Sequence, residues 1–324
     1  MTAQNSATAP VAIAVGSAPT VRGHPGSGAV LAGLGVVAFS LTFPSTVWGL
    51  ESFGPWSLVA LRSLLAALLA GCFLLAGRVP VPDRRHWGGL AVVAGGVVVG
   101  FPLLTTLALR TSTSSHAAVV VGLLPLTTAL FAALRTGSRP PRAFWAAALA
   151  GAAVVIVFTV QQSGGSLSGG DLYLFGALLV CAAGYTEGGR LAREMPGWQV
   201  IGWALVLVLP LAVAGTAVAL PFEPVHLTAR GITGLVWVAA GSTFLGLYVW
   251  YRGMAEIGVA RASQLQLAQP LLTLVWSFLA LGEHVSAAAP AAAVAVLVCI
   301  AVTQYAGRGA RGTGRTGGGT GTAS

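Results

Sequence analysis

The polar residues with the spacing to do chemistry are few, and most interrupt long apolar stretches. Gln266, Gln269, Thr273 and Ser277 recur at i, i+3, i+7 and i+11, which puts them on one face of a helix. Carboxamides offer donors and acceptors without a charge, so this stripe suits a polar or zwitterionic solute. The same stripe could instead hydrogen-bond a neighbouring helix. Pro270 removes a backbone donor beside it and can bend the chain there. Tyr248 is a further candidate solute contact; Tyr185, Trp237 and Trp276 are candidate gates. Arg62 lies seven residues into an apolar stretch, roughly 10 Å along a helix axis. It could snorkel to an interface, bind a carboxylate or close a gate. Glu187, Arg190 and Glu194 are spaced i, i+3, i+7, so a continuous helix makes them an ion-pair ladder. Glu187 is also the best candidate for a proton or cation site.

Other chemistries are excluded. All seventeen basic residues are arginine, which removes a Walker A loop, a Schiff base and a pyridoxal lysine. Ser114, Ser115 and His116 are adjacent, and adjacent residues do not face one another on a helix. Cys72, Cys181 and Cys299 stand far apart and lack metal-ligand spacing. Gly33 to Ala38 mimics a dinucleotide fingerprint but lies inside a long apolar run without strand–turn–helix context. No catalytic residue, metal or cofactor is expected, and the chain is not read as an enzyme.

The elements that must hold these residues are membrane helices. The chain has 324 residues, is 56% hydrophobic and only 8% charged, with net charge +9. A soluble domain carries roughly 25% charged residues. Ten apolar stretches approach or reach the length that crosses a bilayer: 29–48, 55–76, 88–109, 115–134, 143–160, 172–191, 198–220, 231–251, 262–281 and 286–305. The organisation expected is a disordered N-terminus (1–28), a first five-helix unit (29–160), a connecting loop (161–171), a second unit (172–305) and a disordered basic tail (306–324). With the N-terminus inside, inner segments hold fourteen arginines and outer ones hold Arg110 and Arg230. The positive-inside rule then puts both termini in the cytoplasm of a multi-pass inner-membrane protein. The arginines occupy short connections rather than one stripe, so nucleic acid is not an expected partner. Spans 5 and 10 are nearly bare of polar residues and should be peripheral, where they would allow a homodimer. Spans 1, 3, 4, 6, 8 and 9 carry the polar residues and should surround a central path.

The halves repeat. A shift of 145 lays Leu124-Pro125-Leu126 on Gln269-Pro270-Leu271, Gly137 on Gly282 and Ala117 on Ala262; a shift of 143 lays Gly33 on Gly176 and Gly54 on Gly197. Five spans per half force the second to insert inverted. Leu61-Arg62-Ser63, the small-polar run Thr111–Ala118, the segment from Ile257 to Ser263, Pro270 and Leu281-Gly282-Glu283 together resemble the EamA-type members of the drug/metabolite transporter superfamily. The resemblance covers residues 29–305. Where that family often repeats Gly-Glu, the first half has Gly137-Ser138, so Glu283 lacks a matching carboxylate. The resemblance implies an all-α, ten-helix protein of two inverted five-helix repeats. It implies export of a small organic solute (an amino acid, related metabolite or drug-like compound) by rocking of the halves around a polar cavity. An importer of the same fold is the alternative, ahead of a non-transporting sensor or an intramembrane enzyme.

Overall fold

The computed structural model describes residues 25–137, 142–162, 167–257 and 265–313. Eight helices are long and apolar enough to cross a membrane: α1 (Ser27–Leu50), α2 (Pro55–Ala76), α3 (Arg84–Ala108), α4 (Ser114–Arg135), α5 (Arg142–Gln162), α6 (Gly169–Leu191), α7 (Gly197–Phe222) and α8 (Ala229–Gly253). Two shorter apolar helices follow, α9 (Gln269–Leu281) and α10 (Ala288–Val302). Helical backbone starts at Pro25 and, in the last helix, continues to Thr313; both ends lie beyond the predicted boundaries. The remaining tail residues, residues 1–24 of the expected N-terminus, and 258–264, which include the start of the predicted ninth span, lie outside the described residues.

The inverted repeat is written into local backbone features. The third helix of each half contains a π-helical segment, Ala94–Gly100 in α3 and Trp237–Gly246 in α8. In α4 a turn at Gly122 and Leu123 separates two helical pieces, and Pro125 opens the second. A turn at Leu267 and Ala268 precedes Pro270 in α9 in the same way. Proline is tolerated in a first helical turn because its missing N–H would be unpaired there anyway. Both pieces end on a left-handed glycine, Gly137 (φ 63°) and Gly282 (φ 67°), a conformation that costs a residue with a Cβ.

The two sequence halves are not separate bodies. The main packing pairs cross between them: α1 with α8, α2 with α7, α3 with α6, α4 with α6 and α9, and α5 with α10. Rocking of one half against the other, as the resemblance implies, would have to rearrange these shared interfaces. Without a hydrophobic drive inside lipid, such pairs depend on close van der Waals contact and hydrogen bonds. Gly96 supplies it for α3–α6, since a Cβ there would run into the Val180 carbonyl. Helices α5 and α10 are peripheral and turn Leu149, Ile156, Val294 and Val298 outward. Alternation of direction leaves one end of every helix on the face where α1 begins (the near face) and the other on the opposite, far face.

Candidate functional site

A cavity of ≈ 80 Å³ lies mid-bundle among α1, α2, α3, α4, α6, α8 and the approach to α9. Its walls alternate aromatic and polar: Phe43, Phe101 and Tyr185 against Thr42, Ser242 and Gln269. A second space of ≈ 40 Å³ adjoins it at the two proline breaks and shares Phe43, Gln266 and Gln269. These are the helices predicted from polar content, with α2 added through Arg62. Ligand sites commonly measure about 300–1,000 Å³; the cavity here is smaller.

Arg62 does not snorkel. It is 6% exposed, lines the cavity, and donates from Nη2 (2.8 Å) and Nε (3.3 Å) to Thr243 Oγ1. Thr243 in turn donates to the Val238 carbonyl five residues back, so the π-helical turn of α8 presents the hydroxyl that orients the guanidinium. Thr42 and Ser242 hydroxyls meet at 2.7 Å across α1 and α8.

The predicted stripe divides. Gln266 and Gln269 face the cavity. Thr273 borders only the smaller space, and its hydroxyl is already committed, donating to the Ser40 (2.9 Å) and Gln269 (3.0 Å) carbonyls. That Ser40 carbonyl is free because Pro44, four residues on, has no N–H to give it. Ser277 donates to the Thr273 carbonyl and meets Ser114 Oγ at 2.9 Å. The lower part of the stripe thus lines space and the upper part binds helices together. Tyr248 is not at the cavity, contrary to expectation. It packs edge-to-face on Phe73 and Trp198. The π-helical segment just before it adds a residue to the turn, rotating everything downstream by about 100° from an ideal helical wheel. Tyr185 stands at the cavity instead.

The EamA-like transporter family model matches residues 26–160 and 168–305. This chain belongs to that family. An uncharacterized transporter, YdeK, of Bacillus subtilis is 43% identical over 274 residues, covering 84% of this chain and 94% of that one. An uncharacterized transporter of Archaeoglobus fulgidus is 23% identical over 247 residues, covering 72% and 82%. A solved crystal structure superposes with a TM-score of 0.60 at 22% identity, over 88% of this chain and 99% of that chain; that likeness concerns the fold alone. The chain is accordingly a multi-pass membrane transporter and not an enzyme.

In this EamA-family chain each face of the bundle carries polar contacts between the halves. At the near face the predicted Glu187–Arg190–Glu194 ladder forms, with Arg190 2.8 Å from Glu187 and 2.7 Å from Glu194. It extends further than predicted. Arg135 at the end of α4 pairs with the buried Glu187, and His86 Nε2 lies 2.9 Å from Glu194. The His86 hydrogen bond first, and then Arg190, hold the Glu194 carboxyl below the ordinary carboxylate range.

The far face uses Glu223 and Asp171, which sequence reasoning missed, together with Glu283 and His116, to which it gave no such role. Glu283 accepts from the Ser114 and Ser115 amides and the Ser115 hydroxyl at 2.8–3.0 Å. Glu223 accepts from the Trp56 and Ser57 amides. Carboxylates belong at helix N-termini, where unpaired N–H groups and the helix dipole favour negative charge. His116 Nε2 lies 2.7 Å from Asp171 Oδ1, both buried, with the imidazole stacked on Phe158. Asp171 also closes a capping box with Ser168; the S-x-x-D spacing was the signal available for it.

Proposed function

We propose that the chain exports a small organic solute of amino-acid size by alternating access around the Arg62–Gln266–Gln269 cavity. The observation that carries this reading is a mid-bundle polar cavity at two broken helices, with contacts between the halves closing the bundle at both faces. Half-helix breaks near midplane are where such transporters bind solute. The near face is cytoplasmic, because fourteen arginines fall on its segments and two on the far ones. Because the halves interleave, the moving bodies are helix pairs, α3 with α6 against α1 with α8, rather than the halves themselves. Glu187 serves as the near-face latch between Arg135 and Arg190. The experiment is counterflow in proteoliposomes with a mixed amino-acid and metabolite pool, read by mass spectrometry. Accumulation of a solute, lost in Gln269→Ala, is expected. No accumulation for any solute in either orientation or pH gradient overturns the reading.

A further inference from the structure

Arg62 is a buried cation without an anion. All eight Asp and Glu side chains of the chain are engaged elsewhere. Three sit at the far face on helix starts or on His116, namely Glu283, Glu223 and Asp171. Glu187 and Glu194 belong to the near-face ladder. Glu51, Asp83 and Glu256 pair with Arg230, Arg85 and Arg252. None of the eight lies within ion-pairing distance of Arg62 among the described residues. A guanidinium kept at membrane depth is expensive, and such groups mark solute and ion pathways. Its hydrogen-bond partner among the described residues, Thr243 Oγ1, is neutral.

The geometry says which part of the guanidinium is spare. Arg carries five N–H donors in a planar fork. Thr243 takes the edge formed by Nε and Nη2. Nη1 has no hydrogen-bond partner among the described residues, so the Nη1–Nη2 end remains, and that end matches the two oxygens of a carboxylate. The cavity that Arg62 lines contains no acidic residue. Of its other polar groups, Thr42 and Ser242 hydrogen-bond each other, whereas the Gln266 and Gln269 amides make no hydrogen bond among the described residues and can accept from or donate to the rest of a solute.

We propose that Arg62 is a carboxylate-binding subsite and that the transported solute supplies the missing anion: a small carboxylate, with an amino group tolerated and not required. The proposal rests on the transport reading above but is tested apart from it. Full-length protein in nanodiscs would be titrated with matched sets: L-leucine, leucinamide and isoamylamine; L-phenylalanine, phenylalaninamide and phenethylamine; and monocarboxylates from acetate to phenylpropanoate, with chloride as the inorganic control. Thermal stabilisation reads binding, and counterflow of the same compounds reads transport. At least one carboxylate should bind tenfold or more tighter than its amide or amine and than chloride. Arg62→Gln should erase that preference, Arg62→Lys should retain it in part, and Thr243→Ala should weaken binding while keeping the preference. The last variant leaves Arg62 in place, so it decides the matter if Arg62→Gln does not fold. Equal binding of carboxylate, amide and amine, unaltered carboxylate binding in Arg62→Gln, chloride as effective as the best carboxylate, or no carboxylate binding at all would each overturn the proposal. Counterflow of an amine alone would sink this subsite and leave the transport reading intact. Carboxylate binding without counterflow would do the reverse.

Discussion

At the far face Glu283 and Glu223 meet backbone; at the near face Glu187 and Glu194 meet arginine. Glu283 and Glu223 reach across the halves to the open amides of α4 and α2, and His116 and Asp171 are both buried. The near-face ladder is buried at Glu187 and His86 and solvent-exposed at its other members: Arg135 is 49% exposed, and Arg190 and Glu194 are 37% and 36%. Exposed ion pairs contribute about 0–1 kcal/mol and are screened by salt. Hydrogen bonds to a charged acceptor contribute about 1.5–3 kcal/mol, and breaking a buried pair costs about 3–5 kcal/mol. The same residue types therefore make a firm closure on one face and a soft one on the other. For an exporter that loads from the near face, the soft closure is where solute must enter.

The largest effect is expected from Asp171→Ala. It strands His116 in a buried site and removes the carboxylate half of the α6 capping box, so the full chain in detergent should lose about 3–5 kcal/mol of unfolding free energy. A loss no larger than that of a near-face variant would break the contrast. Glu283→Gln comes next, at about 2 kcal/mol. Its sharper readout is access. In a background lacking Cys72, Cys181 and Cys299, a cysteine at Thr42 should react about tenfold faster with an impermeant maleimide added from the far face, the ratio that 1.4 kcal/mol gives. An unchanged far-side rate would mean that Glu283 fastens α4 without closing the cavity.

How much of this was legible beforehand follows the range of each interaction. Helix number and the repeat were readable because hydropathy and the spacing of Pro125, Pro270, Gly137 and Gly282 are local properties of the chain. Arg62, Gln266 and Gln269, which line the cavity, could be singled out because a polar residue in an apolar span is conspicuous. Tyr248 was misplaced because a π-helical segment rotates the face and leaves no reliable mark in sequence. The extent of the rims was hidden for a different reason. Arg135 and Glu187 are 52 positions apart, and Ser114 and Glu283 are 169 apart; only the interleaving of the halves brings them together.

Arg135→Gln should have a smaller effect than either far-face variant, under about 1 kcal/mol, because Arg190 still holds Glu187. Near-side labelling of the Thr42 cysteine should rise a few-fold at low salt. At about 1 M salt, where the Debye length is near 3 Å, the difference between variant and parent should shrink. Far-side labelling should be insensitive to the same change. A near-face effect that survives high salt would place Arg135 in a buried contact and bring the two faces closer in kind.

The smallest effect is the acid response of the ladder. Folding lowers the Glu194 carboxyl below its ordinary value through His86 and Arg190. A group depressed in this way contributes above its unfolded pKa, near 4.3, and its contribution fades as pH falls through the lowered value. Near-side labelling, measured relative to Glu194→Gln and corrected for maleimide reactivity, should therefore be flat from neutral pH to about 5 and rise only below the ordinary carboxylate range. If Glu194→Gln keeps the same acid rise, the response belongs to another carboxylate, and the His86–Glu194 contact is not part of the closure.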